Sequence, residues 1–273
     1  MLIIGECINS TTPEVLDAIA KRDVNFIREL ARGQIEAGAE YIDVNAGARI
    51  DTELEDMEWL IKTVNDVVEV PLSIDSANPD TIKHGLEIYD QLLKDNNKTE
   101  IKAMVNSING EPTHCEKVLP LVKEYDCEVI GLLMDENGIP SEPEDRVKIG
   151  SKIIDQLNKY KIPIDKLYLD MVIQPISTDS GKGITILETL KLVKQEFPEV
   201  KTVLGLSNIS FGLPEKELIN RTFLAMLMVN GLDAAIMNPL DRKILATLQT
   251  AKMLLNQDEF CMNYITAFRD GRL

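Results

Sequence analysis

The sequence predicts an α/β fold, a single (β/α)8 TIM barrel in which eight parallel strands alternate with helices. Eight short runs rich in β-branched or apolar residues recur along the chain, and segments with helical periodicity separate them. The length of 273 residues is close to the roughly 250 residues of one such barrel. We therefore expect one domain over residues 1–273, with right-handed crossovers between parallel strands.

The predicted strands and helices follow one another in a regular order. The strands cover residues 2–4, 41–44, 72–74, 102–105, 129–133, 167–169, 203–206 and 234–237. Apolar residues at helical spacing mark three of the intervening helices. These residues are Ile27, Leu30, Ala31 and Ile35; Leu187, Leu190, Val193 and Phe197; and Ile244, Leu248, Ala251 and Leu255.

Several helix boundaries are visible in the sequence. Asn78 supplies a capping side chain before Pro79, which occupies the first position of a helix. Gly38 lies where a glycine ends the preceding helix. Pro163 and Pro198 each end a helix just before the next strand.

An open, doubly wound parallel sheet is the alternative architecture. Such a sheet carries a glycine-rich fingerprint after its first strand. The residues at that place, Gly5-Glu6-Cys7, do not form one. The closed barrel is therefore favoured.

The composition excludes several classes of partner. The chain has 45 acidic against 29 basic residues and a formal net charge of −16. This charge argues against a nucleic-acid partner and disfavours an anionic membrane surface. No apolar run approaches the roughly 18–20 residues of a membrane-spanning helix.

The cysteines indicate a reducing compartment. Cys7, Cys115, Cys127 and Cys261 are scattered and form no Cys-x-x-Cys pair, so neither a disulfide framework nor an iron–sulfur cluster is expected. His114 is adjacent to Cys115 rather than ligand-spaced, and we expect no bound metal. The first residues lack the basic flank and long apolar region of a signal peptide. We therefore expect a cytoplasmic chain.

Polar side chains stand at the ends of most predicted strands. They are Glu6, Asp43, Asn45, Asp75, Asn106, Asp170, Ser207, Asn208 and Asn238. In a barrel of this kind, function resides at the C-terminal ends of the strands. Such residues also form turns and caps, which is the interpretation we prefer for Asn238 before Pro239. Asn78 already caps the next helix, which assigns Asp75 to the pocket, and no helix begins directly after Asp170.

The residue types at these positions limit the chemistry. The two histidines do not complete a Ser–His–Asp or Cys–His arrangement, because His84 lies within a predicted helix and His114 in a loop without a visible partner. A pocket rich in carboxylates and carboxamides, with few cations, suits a neutral heterocycle that bears several N–H and C=O groups. A phosphorylated sugar would need a basic cradle.

Several segments resemble the pterin-binding family. They are residues 3–9 (Ile-Ile-Gly-Glu-Cys-Ile-Asn), 41–47 (Tyr-Ile-Asp-Val-Asn-Ala-Gly) and 72–76 (Leu-Ser-Ile-Asp-Ser). This family includes dihydropteroate synthase, the folate domain of cobalamin-dependent methionine synthase and the methyltetrahydrofolate:corrinoid-protein methyltransferases. Residues 203–210, 219–226, 231–236 and 254–257 are similar to the methyltransferase branch.

The resemblance implies a role for each site residue. Asp170 matches the carboxylate that binds the pyrimidine edge of the pterin, and Asn208 matches the catalytic side chain that hydrogen-bonds near N5. The other matches are Asp75 and Asn106 at the ring nitrogens, Gly205 and Ser207 in the pocket wall, and Glu6, Asp43 and Asn45 in the polar floor.

The activity implied by the resemblance is methyl transfer between N5 of tetrahydrofolate and the cobalt of a corrinoid. The corrinoid-binding sequence Asp-x-His-x-x-Gly is absent around His84 and His114, so a separate corrinoid protein is expected to carry it. The resemblance also implies a homodimer. Met226, Leu227 and Met228 are either its contacts or part of the core.

Two other functions remain open. A dihydropteroate synthase would need a site for a pyrophosphate group, yet residues 9–13 only loosely resemble that family's phosphate loop. A non-catalytic pterin-binding or corrinoid-protein scaffold is the second alternative. Two places depart from the family pattern. Met171 follows Asp170 where the family often has proline, which changes the expected pocket wall. Residues 211–216 resemble the loop of methionine synthase more than that of the acetogenic enzyme, which leaves the identity of the corrinoid partner open.

Overall fold

The computed structural model describes residues 1–273, and eight parallel strands form the predicted barrel. The strands are β1 (Leu2–Asn9), β2 (Tyr41–Asn45), β3 (Leu72–Asp75), β4 (Met104–Asn109), β5 (Glu128–Leu132), β6 (Leu167–Asp170), β7 (Lys201–Val203) and β8 (Ala234–Met237). They pair in the order β7-β6-β5-β4-β3-β2-β1-β8. A parallel bridge between Gly205 and Ile236 brings the two edges together. The prediction of a TIM barrel is confirmed.

Helices surround the strands. They are α1 (Pro13–Lys21), α2 (Val24–Glu36), α3 (Glu53–Asn65), α4 (Pro79–Asp95), α5 (Pro112–Glu124), α6 (Pro143–Tyr160), α7 (Lys182–Glu196), α8 (Lys216–Val229), α9 (Arg242–Leu254) and α10 (Met262–Arg269). The predicted cap of α4 is present, because the Asn78 side chain accepts a hydrogen bond from the Asp80 N–H at 3.0 Å. Gly38, after α2, has a φ of +98°. None of these helices combines the length and the hydropathy that a membrane crossing requires.

The interior of the barrel is closed at the N-terminal ends of the strands. Six buried side chains fill the lumen: Ile4, Met104, Ile130, Tyr168, Val203 and Ala234. Beyond them, the Glu128 carboxylate accepts hydrogen bonds from Tyr41 at 2.8 Å and from Lys201 at 2.9 Å. These residues begin their strands, so this end of the barrel is plugged and only the C-terminal end can admit a ligand.

Three strands differ by more than one residue from the prediction. β1 continues to Asn9, β4 continues to Asn109, and β7 is displaced toward the N-terminus, with a 3-10 helix over Leu206–Ser210 behind it. Glu6 and Asn106 therefore lie within strands rather than after them. Side chains that face the polar mouth of a barrel keep strand geometry without being apolar. A strand predicted from its apolar residues alone therefore ends too early.

Two further expectations are corrected by the structure. His114 lies in α5 rather than in a loop, and its Nε2 is 2.9 Å from the Ser107 carbonyl oxygen. Of the three residues considered for a dimer contact, Leu227 and Met228 are buried in the core, and only Met226 is exposed. The inner face of α8 packs against the barrel, which accounts for their burial.

Candidate functional site

A cavity of about 340 Å³ opens at the C-terminal ends of the strands. Most of the predicted site residues line it: Glu6, Asp43, Asp75, Asn106, Asp170, Gly205 and Asn208. The remaining two contact lining residues instead. Asn45 donates to Asp75 at 2.9 Å, and the Ser207 hydroxyl donates to Glu6. The barrel thus brings together predicted residues from six of its eight strands or the segments that follow them.

Six lining residues were not predicted: Asn9, Ser76, Ala77, Ser107, Leu132 and Ile236. Leu132 and Ile236 stand two positions after the lumen residues Ile130 and Ala234, and alternate residues of a strand share a face. The period of two within each strand could have identified these apolar walls. Nothing comparable in the sequence identifies Asn9.

Hydrogen bonds between neighbouring strands orient the floor of the cavity. The register pairs Asp43 with Ser73, and the Ser73 hydroxyl donates to Asp43 Oδ1 at 2.7 Å. Asn106 Nδ2 donates to the same oxygen at 3.2 Å. Asp75, paired with both Asn45 and Asn106 in the register, accepts from Asn45. These contacts fix the carboxylates while leaving room for further donors.

The carboxyl groups of the cavity hold protons more tightly than usual. Burial raises the pKa of Glu6 and that of Asp170 to about 7, and that of Asp43 to about 6. The pKa of Asp75 is raised by burial and then by the negative charge of Asp43. No lysine, arginine or histidine lines the cavity. In their ionised form these carboxyl groups are acceptors without a cationic partner, and N–H groups of a ligand can satisfy them.

Asp170 lies at the end of β6 in a tight turn. Its Oδ1 accepts a hydrogen bond from the Val172 N–H at 2.7 Å. No helix begins there, as expected, but this backbone N–H gives the carboxylate a local partner that the sequence did not indicate. Oδ2 accepts no hydrogen bond from the protein. One oxygen thus anchors the side chain, and the other is available to a ligand.

Asn208 lies on the 3-10 helix that follows β7. Its side chain is exposed to the cavity and makes no hydrogen bond within the chain. A Cβ at Gly205 would lie 3.0 Å from Asn208 Nδ2, so a larger residue at 205 would crowd the carboxamide. The absence of a protein partner leaves the Asn208 amide free to bond a ligand.

The raised pKa of Asp170 predicts a pH-dependent stability. A carboxyl whose folded pKa is raised stabilises the fold fully at low pH, and this contribution is lost as the pH rises from about 4 to about 7. Asp170→Asn keeps an oxygen for the Val172 N–H and removes the buried charge. We expect it to raise the Tm at pH 8 by about 2–4 °C, equivalent to on the order of 1 kcal/mol.

This prediction is checked by thermal unfolding at several pH values. The gain in Tm should shrink toward pH 5, where the parent carboxyl is protonated. Asp155→Asn, at an exposed position of α6, changes the net charge equally and is the matched control. A gain that is the same at pH 5 and pH 8, or that the control reproduces, would contradict the prediction.

The sequence and the fold are similar to those of known proteins. Residues 5–238 match the family model described as pterin binding enzyme. The chain is 33% identical over 275 residues to the methylcorrinoid:tetrahydrofolate methyltransferase of Eubacterium limosum. The alignment covers 100% of this chain and 98% of that protein. It is 27% identical over 251 residues to the methionine synthase of Mycobacterium leprae (strain TN), covering 87% of this chain but 20% of that protein.

Solved structures of dihydropteroate synthases have a similar fold. The enzyme from Vibrio fischeri ES114 superposes with a TM-score of 0.71 over 94% of this chain and 93% of that chain. At 15% identity, this likeness shows the fold alone. The match of the family model over most of the barrel, together with the full-length relative, establishes that the chain belongs to the pterin-binding enzyme family.

Proposed function

We propose that this chain is a methyltransferase that moves a methyl group between N5 of tetrahydrofolate and the cobalt of a corrinoid on a separate protein. The observation that carries the proposal is the full-length similarity to a methylcorrinoid:tetrahydrofolate methyltransferase. The cavity supports it, because its buried acceptors and lack of cations suit a neutral pterin ring.

The polar residues of the cavity bind the pterin. Asp170, with one free oxygen, accepts hydrogen bonds from the pyrimidine edge. Asp75 and Asn106 contact the ring nitrogens, and Gly205 and Ser207 form the wall. Glu6, Asp43 and Asn45 complete the floor, which explains why so many acceptors converge on one small volume.

Asn208 acts at the reacting nitrogen. Methyl transfer from N5 is slow because the departing nitrogen would carry negative charge unless it gains a proton or an equivalent hydrogen bond. A carboxamide does not supply a proton at neutral pH, so Asn208 orients N5 and stabilises the charge that develops there. The proton itself comes from solvent through the open mouth.

The corrinoid is a co-substrate that a partner protein presents at this mouth. Several loops at the C-terminal end of the barrel carry exposed apolar side chains: Ile50 after β2, Phe211 after β7 and Leu240 after β8. Such side chains suit contact with another protein. We propose no bound metal in the chain itself.

Incubation with 5-methyltetrahydrofolate and free Co(I) cobalamin tests the proposal. Formation of methylcobalamin, followed by absorbance and dependent on the protein, is the expected result. Condensation of a dihydropterin pyrophosphate with p-aminobenzoate would instead identify a dihydropteroate synthase. Binding of tetrahydrofolate without either reaction would identify a non-catalytic scaffold.

We also propose a homodimer that forms through the outer wall made by α8, α9 and α10. α9 packs against both α8 and α10, so the three helices form one surface. Leu254, Phe260 and Phe268 leave 75%, 83% and 72% of their surface exposed, and Met226 and Val229 of α8 are exposed as well. Large apolar patches on a surface are typical of interaction sites.

Phe268→Glu is expected to dissociate the dimer, because it places a charge in the apolar interface. Light scattering should change from about twice the chain mass of 30.6 kDa to the monomer. Ile50→Glu makes the same kind of change at an exposed residue after β2, outside this wall, and should leave the mass unchanged. A parent that is monomeric at micromolar concentration would refute the dimer.

The remaining properties follow from composition. We propose one pterin-binding domain over residues 1–273 and a cytoplasmic location, since all four cysteines are unpaired and two of them, Cys115 and Cys127, are buried. The net charge of −16 supports the proposal that neither nucleic acid nor a membrane is a partner.

A further inference from the structure

A buried arginine lies behind the turn that carries Asp170. Arg146 belongs to α6 and is 0% exposed. Its Nη1 donates hydrogen bonds to the carbonyl oxygens of Met171 and Val172, and its Nε donates to the Pro140 carbonyl at 2.9 Å. The guanidinium thus binds the carbonyl groups of the two residues that follow Asp170.

The turn has a conformation that its own sequence disfavours. Val172 has a φ of +56°, in the left-handed region that a β-branched residue rarely adopts. Such a conformation persists only where the surroundings hold it. The N–H of the same residue donates the hydrogen bond to Asp170 Oδ1. Contacts that hold Val172 therefore also hold the carboxylate.

Arg146 has no carboxylate partner of its own. No acidic oxygen lies within ion-pair distance, and the buried Nη2 donates no hydrogen bond. Burying an unpaired charge is unfavourable for folding. The contacts that Arg146 does make are hydrogen bonds to backbone carbonyl groups, two of them in the turn after Asp170.

We propose that Arg146 is a positioning residue that holds the 170–172 turn and so fixes the Asp170 carboxylate for the pyrimidine edge of a pterin. This inference rests on the proposed function. It adds a residue outside the cavity to the machinery that recognises the substrate.

The charges around Asp170 support this role. Arg146, from α6, is the cation whose charge lowers the pKa of Asp170, opposing the larger effect of burial. The other titratable groups that line the same cavity are the carboxyl groups of Glu6, Asp43 and Asp75, and none of them is a cation. The flanking strands contribute Leu132 and Val203 at the register positions beside Asp170, and neither titrates. Loss of Arg146 should therefore raise the pKa of Asp170 further.

Tetrahydrofolate binding, measured by calorimetry between pH 5.5 and pH 9, tests the inference. Arg146→Met should weaken binding at pH 7 by about tenfold and move the midpoint of acid-induced loss of binding upward by about one pH unit. Arg146→Lys keeps a cation but loses the planar fork, so it should weaken binding with a smaller shift of the midpoint. Lys201→Met removes a positive charge at the plugged end of the barrel and should leave both quantities unchanged.

The outcomes separate this inference from the proposed function. Failure of the parent to bind tetrahydrofolate would overturn the proposed function and the ligand named here. If Arg146→Met folds and keeps the affinity and the pH midpoint of the parent, the positioning role alone is overturned. The same holds if the variant has a lower Tm but the midpoint of its acid-induced loss of binding is that of the parent. If Arg146→Met does not fold, parent-like affinity in Arg146→Lys would likewise overturn the positioning role. A 13C titration of the Asp170 carboxyl, which needs no ligand, should show its pKa raised in the variant.

Discussion

Asn208→Ala should lower kcat for methyl transfer by about tenfold to a hundredfold, and it should reduce folate affinity by a smaller factor. The carboxamide lines the cavity without any partner in the protein, so its hydrogen-bonding capacity is available to N5. An interaction that strengthens as charge develops on N5 affects the transition state more than the ground state. Stopped-flow methyl transfer at saturating folate, with calorimetry for the affinity, separates the two effects.

Two further variants sharpen this result. Asn208→Asp should retain more activity than alanine, since a carboxylate still favours positive charge on N5. Asn158→Ala removes an exposed carboxamide from the C-terminal end of α6, far from the cavity, and should keep the parent rate. A parent-like rate in Asn208→Ala would mean that the side chain only supports the 3-10 helix after β7.

Asp170→Ala should weaken tetrahydrofolate binding by about one to two decades. Loss of a buried charge-assisted hydrogen bond costs on the order of 1.5–3 kcal/mol, which converts to that range of affinity. The alanine also removes the acceptor of the Val172 N–H, so part of the loss comes from the turn. Asp170→Asn keeps that acceptor, and comparing the two variants by calorimetry isolates the charge.

The pH dependence of binding gives a second measure of the same residue. Burial raises the pKa values of Asp170 and Glu6 to about 7, so parent affinity should fall as the pH drops below 7 and these acceptors take up protons. Asp170→Asn should show a weaker dependence, with only Glu6 and the Asp43–Asp75 pair still titrating. Asp155→Asn is again the control. Unchanged affinity in Asp170→Ala would remove Asp170 from the pterin site.

The candidate site was largely visible in the sequence. Carboxylates and carboxamides after short apolar runs predicted a polar rim, and Asp75 and Asp170 do end β3 and β6. Residues such as Asn9 and Ser107 were missed because nothing in their local sequence distinguishes a pocket wall from a loop. Ser207 was expected in the wall, and its hydroxyl instead donates a hydrogen bond to the lining residue Glu6.

The order and type of the helices and strands are local properties of the chain. Short apolar runs, the helical period of 3.6, capping residues such as Asn78 and helix-ending residues such as Gly38 depend only on near neighbours, and they predicted eight strand–helix units. The polar side chains at the strand ends likewise favour a neutral heterocycle as the ligand.

Which side chains meet, and what their surroundings do to them, depends on the folded barrel. The register between strands places Asp43 against Ser73 and Asp75 against Asn106, and burial in the floor of the cavity raises the pKa values of these carboxyl groups. Arg146 contacts the turn after Asp170 across 25 residues of sequence. Such contacts and pKa shifts depend on groups distant in the chain, and no local pattern encodes them.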